Sequence, residues 1–198
     1  MRRKVVGLVG SYRKGGTIDS AVEAILAGAR EQGAETKTIY LREQHIEFCN
    51  NCRACTQQPG AERGKCLQED DLESILTEIE SAEAVVLGSP VNYYNLTALF
   101  RQFMERLLGY TYWPWGQAAP HTRNHMRPRK AILVASTAMP GFCIPLFTGA
   151  SKALQIAAGS LGARTVGKMW IGLSSREQHP TLSARNRARA RRLGMKLA

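Results

Sequence analysis

The sequence predicts an α/β domain, a five-stranded parallel sheet covered by helices on both faces. Three observations carry this. Strand-like and helix-like segments alternate five times along 198 residues, and strands alternating with helices imply parallel pairing. The strand-like segments are short apolar runs, as expected of strands buried on both faces. The length matches one domain, which buries roughly 70% of its unfolded surface without disulfide staples. Hydrophobic residues at 44% and charged residues at 22% exclude a disordered chain.

The first strand is Lys4 to Val9, a β-branched apolar run that stops at Gly10. From Thr17 to Gln32, Ile18, Val22, Ile25 and Leu26 recur at helical spacing. Thr36 to Leu41 reads as the second strand, and residues 42–68 as an irregular cysteine loop. Asp70-Asp71 opens a helix with Leu72, Ile75, Leu76 and Ile79 on one face. Ala84 to Leu87 is the third strand, broken by Gly88-Ser89-Pro90, and Leu96 to Leu108 is helical. Residues 109–128 read as a long loop rich in aromatics and proline. Ala131 to Ala135 is the fourth strand, and Pro145 to Leu161 a helix with proline in its first turn. Arg164 to Ile171 is the fifth strand, and Leu182 to Leu197 the last helix. No repeat, low-complexity tract or linker interrupts the series, so residues 1–198 are read as a single domain.

No apolar run reaches the ~20 residues of a transmembrane helix, so no membrane partner is expected. The basic start Met1-Arg2-Arg3-Lys4 leads into a strand and a glycine-rich turn rather than an apolar signal segment. A cytoplasmic location is expected. Charge is unevenly spread: residues 1–99 carry 11 basic and 14 acidic side chains, residues 100–198 carry 16 and 2. A basic half suits anionic partners. The plainer reading is that Arg185, Arg187, Arg189, Arg191 and Arg192 decorate a solvated helix. No recognised nucleic-acid motif accompanies the charge, so no specific nucleic-acid partner is expected.

In parallel sheets ligands sit beyond the carboxyl ends of the strands, which directs attention to three turns. After strand one comes Gly10-Ser11-Tyr12-Arg13-Lys14-Gly15-Gly16-Thr17, where backbone amides and a helix N-terminus can receive a phosphate. It matches neither the dinucleotide fingerprint nor the triphosphate-binding P-loop. After strand three comes Pro90-Val91-Asn92-Tyr93-Tyr94-Asn95, which offers a flat ring stacking faces and amide hydrogen bonds. After strand four comes Ser136-Thr137-Ala138-Met139-Pro140-Gly141, small enough for close backbone approach. Each turn also has a plain reading as a surface loop. Together they point to one flat, phosphorylated ligand.

The three turns, in this order, resemble the flavodoxin-like FMN-binding oxidoreductases, and more closely their NADPH-dependent FMN reductase and iron–sulfur flavoprotein branch. The likeness runs from Lys4 to about Gly172. It also rests on the Cys49/Cys52/Cys55 cluster before Asp70-Asp71, and on a helix ending in Glu105-Arg106. The resemblance implies a flavodoxin-like three-layer sandwich with strand order 2-1-3-4-5. It implies FMN with its phosphate on Ser11, Arg13 and Thr17 and nearby backbone amides, with Gly16 and Ile18 among the cofactor-binding residues. The flavin ring is then expected against Pro90, Val91, Asn92, Tyr93, Tyr94 and Asn95, with Ser136, Thr137, Ala138 and Gly141 closing the pocket. Thr17-Ile18 stand where the family often has Asn-Thr, leaving open which hydroxyl meets the phosphate. A homodimer or a tetramer of dimers is implied too, with the flavin near the interface.

The cysteines are Cys49-x2-Cys52-x2-Cys55, then Cys66 and the distant Cys143. Such spacing suggests metal or redox chemistry rather than a disulfide framework. Cys49, Cys52, Cys55 and Cys66 can be read as [4Fe-4S] ligands, as a four-thiolate zinc site, or as free thiols. The ten-residue gap before Cys66 is longer than the compact family motif. Cys143 reads as a small buried apolar residue, and His45, His121, His125 and His179 form no ligand-spaced set.

The functional expectation is an FMN-dependent NAD(P)H oxidoreductase. It passes a hydride through bound FMN to a small acceptor such as a free flavin or a quinone, with no obligatory side-chain acid or base. The alternative is an electron-transfer flavoprotein with a [4Fe-4S] cluster and a ferredoxin-like redox partner. Residues 109–128, with Tyr110, Tyr112, Trp113 and Trp115, are expected to cover the flavin, to make a dimer contact, or to form a small aromatic core.

Overall fold

The computed structural model describes residues 3–123, 128–175 and 180–197. In chain order the elements are β1 (Lys4–Val9), α1 (Thr17–Arg30), β2 (Glu35–Tyr40), α2 (Leu72–Glu80), β3 (Ala84–Asn92), β4 (Asn95–Leu96) and α3 (Ala98–Glu105). They continue as β5 (Thr111–Tyr112), β6 (His121–Thr122), β7 (Arg129–Ser136), α4 (Cys143–Phe147), α5 (Ala150–Ser160), β8 (Ala163–Ile171) and α6 (Ala184–Gly194). The main sheet runs β2-β1-β3-β7-β8, all parallel, which is the expected 2-1-3-4-5 order. His125 and His179 lie outside the described residues.

Strand side chains alternate between two cores, as a two-residue period requires. Val6, Leu8, Val85, Leu87, Leu133 and Ala135 face α2, α3 and α5. Val5, Val9, Val86, Ile132 and Val134 face α1 and α6. On the second face α1 and α6 touch backbone to backbone. A Cβ on Gly28 would run into the carbonyl of Arg191, and one on Gly194 into that of Ile25. The arginines of α6 face solvent around the buried Ala190 and Gly194. Arg191 pairs with Glu31, and Arg189 donates to the Lys168 carbonyl.

The structure corrects four sequence boundaries. Gly88-Ser89-Pro90 does not break the third strand, which runs to Asn92. β1 ends opposite Gly88, while Ser89 and Pro90 still pair with Ala135 and Ser136. Pro90 therefore has a strand neighbour on one side only, where proline is tolerated. The helix expected over Pro145 to Leu161 is two helices, because Thr148 is extended and stops the first turn. Its hydroxyl donates to the Ile144 carbonyl (2.7 Å) and accepts from Ala150 N (3.3 Å), so it serves both ends of the break. The helix expected over Leu96 to Leu108 starts at Ala98, capped by Thr97, and tightens to a 3-10 turn from Arg106 to Tyr110. The 109–128 segment is not a plain loop: β5 and β6 pair antiparallel within it.

Candidate functional site

The first turn is built from behind. β1 continues one hydrogen bond past Val9, from Gly10 N to the Gly88 carbonyl. The chain then turns through Ser11, whose Oγ accepts Arg13 N at 3.2 Å. Gly15 takes φ +70°, the left-handed region glycine tolerates. Gly16 precedes α1 and offers no side-chain cap, so the first amides of a 14-residue helix stay open for an anion. Asp19, in the first helical turn, would repel that anion. Instead it faces away, accepting Gly15 N at 2.9 Å and pairing with Arg42 at 3.1 Å. Thr17 is only 7% exposed, and its Oγ1 is buried with no hydrogen-bond partner among the described residues. A buried hydroxyl left unpaired is costly, which makes this one a candidate contact for a ligand oxygen.

The turn opens onto a cleft of about 330 Å³, within the range of small-molecule sites. Ser11, Arg13, Gly16, Thr17 and Ile18 line it on one side, Pro90, Val91 and Asn92 on another, and Ser136, Thr137 and Ala138 on a third. Tyr12, from the first turn, completes the wall with Ser174, Ser175 and Pro180, which were not singled out from the sequence. Ser174 follows β8, and both its N and its Oγ donate to the Thr137 carbonyl at 3.0 Å. Thr97 also escaped notice. It accepts Phe100 N as the cap of α3, and its hydroxyl donates to the Gly10 carbonyl at 2.6 Å, tying the first turn to α3.

Four of the expected cofactor residues lie outside the lining. Tyr93 and Tyr94 form a two-residue hairpin turn between β3 and β4, both at positive φ (+47° and +64°). That geometry favours Gly, Asn or Asp, and holding two tyrosines in it stores strain beside the cleft. It turns Tyr93 outward to 99% exposure. Asn95 caps its own following amide at 2.8 Å and packs on Gly149. Gly141 lies against the backbone of Trp170 and Gly172 and joins the fourth-strand turn to the end of β8.

A model of the NADPH-dependent FMN reductase family matches residues 3–175. The chain belongs to that family. Among relatives of this FMN reductase-family chain, an iron–sulfur flavoprotein of Archaeoglobus fulgidus is 33% identical over 111 residues, 56% of this chain and 48% of its own. One from Methanocaldococcus jannaschii is 34% identical over 103 residues, 52% of this chain and 51% of its own. The chain spans about half the length of the curated relatives it matches. A solved NAD(P)H:quinone oxidoreductase from Methanothermobacter marburgensis shares the fold, with TM-score 0.69 at 19% identity over 100% of both chains.

The cysteine loop of this family member is zipped to the aromatic segment. The Arg53 guanidinium lies between Trp113 and Trp115, 3.8 and 4.2 Å from their ring centroids, and donates to the Trp113 carbonyl at 2.6 Å. Trp113 N returns a bond to the Thr56 carbonyl. Arg123 donates to the carbonyls of Cys55, Gln58 and Gly109. Of the expected metal ligands, Cys52 is exposed while Cys49, Cys55 and Cys66 are half-buried. Burial, then the neighbouring Cys66, Cys49 and Cys52, push the Cys55 thiol up. Cys66 accepts an N–H from Arg106 at 3.3 Å. The Glu105-Arg106 pair is not an ion pair. Arg106 instead holds Asp70 at 2.6 Å, both side chains 1% exposed, and Glu105 pairs with Arg101. Among the described residues, no three His, Cys, Asp or Glu side chains stand where they could hold a metal ion. As arranged here, the four thiols do not fit a [4Fe-4S] cluster or a zinc ion.

Proposed function

We propose that this protein is an FMN-dependent NAD(P)H oxidoreductase that delivers hydride equivalents to a small acceptor such as a free flavin or a quinone. One observation carries the reading: the unpartnered, buried Thr17 hydroxyl inside an uncapped glycine-rich turn at the mouth of the cleft. Ser11, Arg13, Thr17 and the open amides of α1 would hold the FMN phosphate. Pro90, Val91 and Asn92 on one side, and Ser136, Thr137 and Ala138 on the other, would flank the ring. When bound, FMN supplies acceptance of a hydride from the nicotinamide and its onward transfer. The residues of the chain bind and orient. Pro90 and Asn92 both line the cleft, and Pro90 does so without presenting a backbone donor.

The exposed Tyr93 and Tyr94 directly follow the cleft residue Asn92 and, with the exposed Phe142, Leu146 and Phe147, support a homodimeric working form. A second reading, an iron–sulfur flavoprotein with a protein redox partner, is favoured by the names of the relatives.

The test is an absorbance spectrum of protein purified without oxygen, with iron and acid-labile sulfide counts, followed by NADPH and then a quinone. The expected result is one FMN per chain, bleached by NADPH and restored by the quinone, without iron. A count of about four irons per chain would put the second reading first. No flavin, and no uptake of added FMN, would refute both.

A further inference from the structure

Arg42 belongs to no turn that faces the cleft, yet its guanidinium is the hub behind the phosphate turn. It follows β2 in a short 3-10 turn. Pairing of Val9 with Tyr40 brings the segment after β2 alongside the segment after β1, so Arg42 lies beside Ser11. Its Nη1 donates to the carbonyls of Ser11 (3.3 Å) and Arg13 (3.4 Å) and pairs with Asp19 (3.1 Å). The Tyr40 ring lies under the guanidinium at 4.3 Å and fixes it from below.

Peptide geometry gives this arrangement a consequence. The described peptides are trans, and in a trans peptide the N–H points opposite to the C=O. When Arg42 draws the Ser11 and Arg13 carbonyls backward, the amides of Tyr12 and Lys14 are aimed the other way, out of the turn. Neither amide has a hydrogen-bond partner among the described residues. The amide between them, Arg13 N, is taken by Ser11 Oγ, so the turn offers an anion two outward-facing donors, from Tyr12 and Lys14, ahead of the open amides of α1. The same guanidinium neutralises Asp19, the one carboxylate in the first turn of α1.

We propose that Arg42 is a positioning residue that holds the first turn in its phosphate-receiving form, and so makes the cleft select FMN over riboflavin. It acts through the Ser11 and Arg13 peptides and the Asp19 carboxylate, not by touching the cofactor. This rests on the FMN reading above.

The test is titration of FMN and of riboflavin into apoprotein, followed by flavin fluorescence, for wild type, R42K, R42Q and the double variant R42Q/D19N. The double variant removes the buried carboxylate together with its partner, so no unpaired buried charge threatens its fold. Loss of one or two aligned donors to a charged oxygen should weaken FMN about 10- to 100-fold in R42Q and in the double variant. Riboflavin binding should stay within about twofold, and R42K, which keeps the charge and a donor, should recover most of the loss. Equal losses for FMN and riboflavin, or an unchanged FMN preference in the double variant, would overturn the role of Arg42. A wild type that binds both flavins equally would overturn the phosphate reading of the first turn itself.

Discussion

Thr17 is the residue on which the site turns. Its hydroxyl forms no bond among the described residues and is walled off from solvent, so replacing it should not disturb the fold. T17V is expected to leave the melting temperature of the apoprotein unchanged or slightly raised. It should weaken FMN by the worth of one hydrogen bond to a charged group, about 1.5–3 kcal/mol. Paired melting curves and flavin titrations check both halves, and a large drop in apoprotein stability would show that the hydroxyl has an internal partner. The cleft was legible in the sequence wherever turn chemistry is local: Ser11 to Ile18 open a helix, and Ser136 to Ala138 end a strand. Ser174, Ser175 and Pro180 were not, because the sequence directed attention to the turns after strands one, three and four, and nothing local marks the segment after β8 as part of the cleft wall. The outward turn of Tyr93 and Tyr94 was equally hidden. Nothing in Asn-Tyr-Tyr-Asn announces a hairpin that normally asks for glycine or asparagine.

Among the elements, α1 and α6 meet at Gly28 and Gly194 with no room for a methyl group. Alanine is the better helix former by about 1 kcal/mol, yet G28A is expected to be net destabilising by about 1–3 kcal/mol, the range for overpacking. Urea unfolding decides the sign, and a stabilised G28A would mean that the helices can separate freely. The cysteine loop and the aromatic segment form the second contact worth testing. R53A removes a guanidinium stacked between two indoles together with its bond to the Trp113 carbonyl. We expect faster amide exchange across 49–57 and 113–115 with the sheet unaffected. Uniform acceleration over the whole chain would place this contact in the global unfolding unit instead. The sequence showed both segments as irregular and rich in arginine and aromatics. It did not show that they are partners, since the pairing spans about sixty residues and leaves no periodic trace.

For the whole molecule, acid is the informative stress. Burial raises the Asp70 carboxyl, but the Arg106 guanidinium and the amides of Glu47 and Leu72 outweigh it and hold it below the usual range. Arg63 lowers Glu73, and Lys37 with Lys4 lowers Glu78. Carboxylates depressed in the folded state contribute stability above their unfolded values, near about 4. That contribution is lost as pH falls through the folded values. The urea midpoint, as far as these three carboxylates set it, is therefore expected to be flat from about pH 7 to 5 and to fall steeply below about 4. D70N, weaker at neutral pH because Arg106 is left buried without its partner, should show a shallower acid limb. An identical acid slope in D70N would remove Asp70 from the account.

By itself, the sequence determined the sheet, its order through the family resemblance, and the turns that end β1 and β7. These rest on local signals: apolar runs, helical spacing, and glycine or small residues at strand ends. Only the tertiary structure decided what stands behind and around those turns. Arg42 reaches the first turn because β2 lies beside β1, and Arg106 meets Asp70 rather than the adjacent Glu105 because the chain folds back over thirty-six residues. A charged side chain takes its partner from whatever the fold brings near its buried end, and that proximity is set by strand pairing and helix packing rather than by neighbours in sequence.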